Sequence, residues 1–364
     1  MKTGKNSKRT TIIAASCVLI IIILIRVATF YPDWIGEHYS RGFYPYISSF
    51  YRTIFGWVPF SIGDILYAVA GFFLLYGLVK FSRRLMKGRI SDINFKKGLL
   101  QVFFVLAAVY IYFNISWGLN YNRPGIAEQL QLIPEKHRLE DLTTITGILL
   151  VKVNENRKRL GDQPLTYKPY QKIFDEAQTA YDSTKSDFPF LTYETNSVKK
   201  SMYGRMGNFL GFLGYYNPFT GEAQLNLTMP QFLLPYVTCH EMAHQLGYAS
   251  ESEASFVGYL ASIRSNDTLF HYSTYFDLFT YANRELFYRD SAAAKENYQL
   301  LDTLVKTDLE ELRQYWRKSD NVIEPIIKIF YDHYLKANQQ TKGIKSYNEV
   351  VGWLIAYYKK YGKV

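Results

Sequence analysis

The sequence predicts an α+β protein, mostly helical. Three N-terminal transmembrane helices precede one large domain, which has a small sheet or hairpin beside a His-Glu-x-x-His helix. Three observations predict this. Three early runs are apolar over the roughly 20 residues a bilayer span requires. The rest of the chain has no further run of that kind, and its apolar residues recur mostly at helical spacing. One glycine-punctuated stretch breaks that rhythm and leads into 237-VTCHEMAHQLGYASESEASF-256. The chain divides accordingly into a membrane region, 1–117, and a second domain, 118–364.

The spans lie at about 11–30, 62–81 and 99–117. In the first, no charge falls between Ile12 and Ile25, and Arg26 can snorkel. No small-residue cleavage site follows Ile25, so the segment reads as an uncleaved anchor. Lys2, Lys5, Lys8 and Arg9 precede it. Seven more basic residues, from Lys80 through Arg89 to Lys97, flank or fill the loop between spans two and three, whereas 31–61 holds only Arg41 and Arg52. Basic flanks stay inside. The N-terminus is therefore expected in the cytoplasm and everything after 118 outside.

The net charge of +10 is confined to this region. Residues 1–98 carry 14 Lys+Arg against 4 Asp+Glu, and residues 99–364 carry 28 of each. The neutral remainder has no electrostatic footprint for nucleic acid, so no nucleic-acid partner is expected; the lipid bilayer is. Aromatic residues crowd 31–61, from Tyr31 and Trp34 to Phe55 and Trp57. They suit a short helix in the headgroup layer or a loop packed on the second domain. Asp64 is expected to cap the second span. Cys17 and Cys239 sit in unrelated settings, so no disulfide is implied.

In the second domain, Leu142, Ile145, Leu149 and Val153 set a helical rhythm over 139–158. Another helix is expected over 168–183, and the pattern is helical from about 268 onward. Asn217-Pro218-Phe219-Thr220-Gly221 is turn chemistry. The alternation from Glu222 to Thr228 after it predicts a half-buried strand, hence a hairpin.

His240 and His244 are four apart, so on a helix both imidazoles share a face and can reach one ion. Catalytic zinc takes three protein ligands and leaves a position for water. Glu241 is rotated about 100° from His240, which aims its carboxylate at that water as a general base. Gly247 suits a helix end, and Ser250 suits the N-cap of a second helix carrying Glu251 and Glu253. Either glutamate can supply the third ligand. Glu251 is favoured, because Ser255 follows at i+4 and can support Glu251 or a histidine. Glu253 lies about 160° away around the helix. Ser250 stands where a third histidine would sit in H-E-x-x-H-x-x-G-x-x-H sites, which disfavours that subclass.

These residues resemble the gluzincins, zincin metallopeptidases with a glutamate third ligand. Glu251-Ser252-Glu253-Ala254-Ser255 follows their E-x-x-x-D/N pattern except at Ser255. A wider resemblance covers the three spans, YYNPFTGEAQLN (215–226), TCHEMAHQLGYASESEASF (238–256) and GIKSYNEVVGWLIAYY (343–358). These are similar to a bacterial membrane family catalogued as domain of unknown function 3810. The resemblance implies this architecture and a zincin-like site but no substrate; with the Lys/Arg asymmetry, the domain is expected on the outer, periplasmic face of a bacterial inner membrane. By the zincin resemblance, Glu222–Thr228 is the candidate strand for main-chain pairing with a substrate. His271, His333, Tyr331 and Tyr347 are candidate donors to an oxyanion.

Two functions follow. One is a membrane-anchored zinc-dependent hydrolase, a metallopeptidase with Zn2+ on His240, His244 and Glu251 and with Glu241 as base, acting on a peptide or protein. The other is a non-catalytic scaffold or receptor-like protein with a structural or vestigial zinc site. Neither reading fixes an oligomeric state.

Overall fold

The computed structural model describes residues 2–88, 94–132, 136–162, 165–321, 323–340, 343 and 349–364, with side chains from residue 9 onward. Tyr347 and Arg89 lie outside the described residues.

The chain opens with α1 (Lys2–Ala28), a single turn α2 (Pro32–Trp34) and a π-helical segment (Ile35–Phe43). Then come α3 (Tyr44–Gly56), α4 (Ile62–Met86) and α5 (Phe95–Ser116). Three of these stretches, Arg9–Ala28, Ile62–Met86 and Phe95–Ser116, are long and apolar enough to cross a membrane. Between α1 and α4 the segment is helical and not a loop, yet it packs on the second half of the chain as that loop was expected to. One face, with Tyr39, Tyr44, Ser48 and Arg52, is buried, while Phe43, Tyr46 and Phe50 stay exposed.

Asp64 is not the cap of α4. Ser61 is, accepting from the Asp64 amide at 2.9 Å. Asp64 is fully buried, and its carboxylate accepts from the Met202 amide at 2.6 Å and from the Tyr215 hydroxyl. A buried charge persists where hydrogen bonds replace its water. Here those bonds tie the start of α4 to Met202 and Tyr215 in the second half of the chain.

That domain begins with a 3₁₀ turn (Gly118–Asn122) and α6 (Ile126–Leu130), then α7 (Leu139–Arg159) and α8 (Tyr170–Thr184). β1 (Val198–Lys200), α9 (Gly204–Leu210), β2 (Gly214–Asn217) and β3 (Glu222–Leu225) follow. The site helices are α10 (Leu234–Gln245) and α11 (Glu251–Ser262). The chain closes with α12 (Thr268–Arg289), α13 (Ser291–Gln299), α14 (Thr303–Ser319), α15 (Glu324–Ala337) and α16 (Glu349–Tyr361). The helices expected over 139–158, 168–183 and from 268 onward are present. Leu142, Ile145, Leu149 and Val153 all face one apolar core. Each such buried side chain contributes about 1.5–3 kcal/mol.

The hairpin is also present. β2 pairs antiparallel with β3, and Gly221 closes the turn at φ +66° with its amide on the Asn217 carbonyl at 2.8 Å. Two details differ from expectation. β1 adds a parallel partner on the other side of β3, giving the order β1-β3-β2. β3 is also buried on both faces. Its polar side is covered by the start of α4, where the Ile62 and Gly63 amides donate to Glu222 at 3.1 and 2.6 Å and Gln224 donates to Ser61. The alternation signalled two kinds of burial, not one buried and one wet face.

Candidate metal centre

Every residue of α10 and α11 is buried, so both helices run through the middle of the domain. α10 ends in a Schellman turn. The Tyr248 amide reaches the Ala243 carbonyl at 3.2 Å, the Gly247 amide reaches the His244 carbonyl at 3.0 Å, and Gly247 takes φ +86°. The chain then turns back into α11. The helices approach closely at Gly258, where an added Cβ would stand 3.0 Å from the His240 amide nitrogen. Ser250 occupies the N-cap position without a side-chain capping bond.

This return sets Glu251 against both histidines. Its Oε2 lies 3.3 Å from His240 Nε2 and 3.4 Å from His244 Nε2. Ligand atoms of the three residues fall within 4.8 Å of one another, and all three side chains are buried. The group can hold a metal ion. The outer nitrogens are already engaged: His244 Nδ1 bonds the Tyr248 carbonyl at 2.7 Å and His240 Nδ1 bonds Ser255 Oγ at 3.2 Å. Such partners fix ring orientation and leave Nε2 for an ion. The Tyr331 hydroxyl donates to Glu251 Oε1 at 2.7 Å, which orients the carboxylate.

Glu253 is turned away from the histidines. It accepts from the Ile126 amide at the start of α6 and lies near Arg123, so the structure brings Glu251 alone to them. Ser255 supports His240, one of its two expected partners. Glu241 is buried beside the group, and its Oε2 has no hydrogen-bond partner. His271 bonds the Ser265 carbonyl at 2.8 Å and His333 is exposed; neither lines the clefts at the group. Burial pushes the Cys239 thiol up to about 12, which keeps it neutral.

Electrostatics couple the group. Burial disfavours a charged His244, but the Glu251 carboxylate more than offsets it and holds the imidazole up at about 9. Burial alone would raise Glu251; attraction to His244 and bonds to both imidazoles hold it well below the usual carboxylate range. Burial pushes Glu241 up to about 8. At neutral pH the metal-free group therefore carries a proton on His244. That proton stabilises the metal-free fold fully below the ordinary imidazole value, and the contribution is lost as pH rises through about 9. An ion needs the neutral ring, so its binding expels the proton. Metal affinity should rise about tenfold per pH unit up to pH 9 and then level off. Calorimetric titration in two buffers of different ionisation enthalpy measures this; no proton release at pH 7.5 would contradict it.

Two clefts meet at the group. One, of about 350 Å3, is lined by His240 and Glu241 and reaches Asp277, Tyr281, Arg284 and Lys328. Asp277, Tyr281 and Arg284 were missed in the sequence, although their i, i+4, i+7 spacing puts them on one face of α12. The other cleft, of about 560 Å3, is lined by Glu241, His244 and Glu251 and reaches Tyr67 on α4 and Phe113 on α5. Gly214 of β2 and Tyr331 line both. Substrate pairing through β3 is overturned, because β3 is paired on both sides. The edge strand beside Glu241 is β2.

The N-terminal region completes the site. Tyr44 and Ser48 donate to the Gln245 carbonyl at 2.9 and 2.6 Å, and Trp117 Nε1 donates to the His244 carbonyl at 3.1 Å. The Gln245 carbonyl is one that a helix end leaves without an intrahelical partner, and the His244 carbonyl gains a second donor beside the Gly247 amide.

Fold and site together define a mostly helical protein with three apolar helices of membrane-crossing length and a buried His-His-Glu group able to hold a metal ion. The chain belongs to the family described as protein of unknown function (DUF3810), whose profile matches residues 39–355. No curated protein and no solved structure matches the chain.

Proposed function

We propose that the chain is a membrane-anchored zinc-dependent hydrolase, a metallopeptidase, with its site on the outer face of a bacterial inner membrane. The observation that carries this reading is the buried His240-His244-Glu251 group with the Glu241 carboxylate beside it, its Oε2 without a hydrogen-bond partner. Zinc bonds of about 2.0–2.1 Å at tetrahedral angles put ligand atoms about 3.3–3.4 Å apart. The two Nε2–Oε2 separations, 3.3 and 3.4 Å, fit that spacing. Two imidazoles and a carboxylate leave the fourth position open.

When bound, zinc would supply Lewis acidity, polarising the scissile carbonyl and acidifying a water. Glu241 takes the proton from that water and passes it to the leaving amine. In the metal-free group burial holds the carboxyl at about 8; the charge of a bound cation would lower it toward the ionised form that a base requires. Among the described residues Tyr331 is the one candidate oxyanion donor that lines both clefts; its hydroxyl, which donates to Glu251 in the metal-free group, would have to turn to serve an oxyanion. The Lys/Arg asymmetry supports the outward orientation.

The test joins metal analysis of the purified full chain to cleavage of a peptide library, with Glu241→Gln for comparison. Stoichiometric zinc and Glu241-dependent cleavage support the reading. Absence of zinc, with stability unchanged by chelation, would favour a scaffold instead.

Gly214 gives a second handle. An added Cβ there would stand 2.7 Å from Glu241 Oε1 and 2.9 Å from its Cγ. Gly214→Ala must displace Glu241. A shift of about 1 Å can cost about 100-fold, and a loss of that order is expected in kcat with zinc retained. Unchanged kcat would show that Glu241 has room to spare.

A further inference from the structure

Resting on that reading, we propose that the substrate is a membrane-anchored polypeptide. Its extended backbone pairs with the edge strand β2, and its apolar juxtamembrane residues fill the aromatic cleft. Three observations converge. The walls of that cleft are largely aromatic and apolar, including Phe113, Trp117, Tyr121, Met206 and Phe219, and Glu241 and His244 line the same cleft. Part of the wall belongs to the spans themselves. Tyr67 lies in the second turn of α4 and Phe113 in the last turn of α5. The cleft therefore reaches the level at which both helices would leave a bilayer, where aromatic side chains favour the interface.

The hairpin joins this floor to the site. Its tip rests on the spans: Tyr112 on α5 donates to the Phe219 carbonyl at 3.2 Å and stacks on its ring at 5.6 Å. From there β2 runs back to Gly214 beside Glu241 as the sheet's edge, with no strand on its far side among the described residues. An edge strand is a template for one more chain. Beyond the group, the other cleft turns polar at Asp277, Arg284 and Lys328.

An occupant must then offer main-chain groups along β2, apolar side chains toward the spans and polar ones at the far mouth. A polypeptide emerging from the bilayer offers all three. A phospholipid offers acyl chains but no main chain for β2. At about 3.3 Å per strand residue, β2 places the scissile bond roughly four to six residues from the membrane exit.

The test uses the full-length Glu241→Gln chain, zinc-loaded, in phospholipid nanodiscs, with photoreactive p-benzoylphenylalanine replacing Met206 on the cleft wall. In a second preparation it replaces Phe50 on the exposed face of α3, outside the cleft. The probes are a decapeptide library attached to a Leu/Ala transmembrane helix and the same library free. Confinement in the disc raises encounter at both positions alike, so the ratio of Met206 to Phe50 crosslinking is the readout. A ratio about tenfold or more higher for the anchored library than for the free library is expected. Equal ratios for the two libraries, or labelling of phospholipid alone, overturn the proposal. Wild-type cleavage of the free library and zinc content report separately on the metallopeptidase reading. That reading survives if the free library is cut in a Glu241-dependent way while crosslinking shows no preference.

Discussion

Glu241→Gln is expected to lower peptide cleavage by about 100- to 10,000-fold while the chain keeps its zinc, the range that loss of a positioned acid–base group spans. The substitution preserves shape and removes the ability to take a proton. Glu241 touches the group from the side and is not among the three residues that converge on one point. Metal content should therefore stay at the wild-type level. The metal-free fold should be no less stable, because Glu241 Oε2 makes no hydrogen bond that Gln would lose and burial already opposes its charge. Metal analysis, thermal unfolding and cleavage rate, measured on one preparation, separate these effects. Equal cleavage in the variant would remove Glu241 as the base.

Glu251→Ala should act on the metal itself. Losing a mere outer partner of a ligand costs about 10- to 100-fold in metal affinity. Loss of the residue that faces both Nε2 atoms should exceed that range, while Ser255→Ala, which removes the partner of His240 Nδ1, should fall within it. Glu253→Gln should leave affinity unchanged, since that carboxylate serves the Ile126 amide. Competition with a chromophoric chelator ranks the three variants. A ranking with Glu253→Gln weakest would reverse the ligand assignment made from the geometry.

Local features carried most of what the sequence revealed. The i, i+4 histidines, Gly247 at the helix end and the Asn217–Gly221 turn depend on residues a few positions apart, and backbone geometry alone relates them. The three apolar runs were equally plain. Glu251 was favoured over Glu253 on local grounds too, through the helical phase of Ser255, and it is Glu251 that lies against both histidines. What stayed hidden depends on distant partners. The parallel pairing of Val198–Lys200 with β3 has no local signature, so β3 was taken for the strand that could receive a substrate. Asp64 looked like a cap because nothing near it predicts Met202 and Tyr215 as partners. Tyr331 was one tyrosine among 32, and its place above Glu251 is set by the packing of α15.

The bonds across residue 117 have a practical meaning. A fragment starting at 118 would keep every metal ligand. It would lose Tyr44, Ser48 and Trp117 from the carbonyls that end the histidine helix, and the Ile62 and Gly63 amides from the buried Glu222 carboxylate. On the proposed reading the protein would thus be unlike an ectoenzyme on a stalk: a fragment released by a cut at residue 117 is expected to be inactive, because its histidine helix has lost those donors.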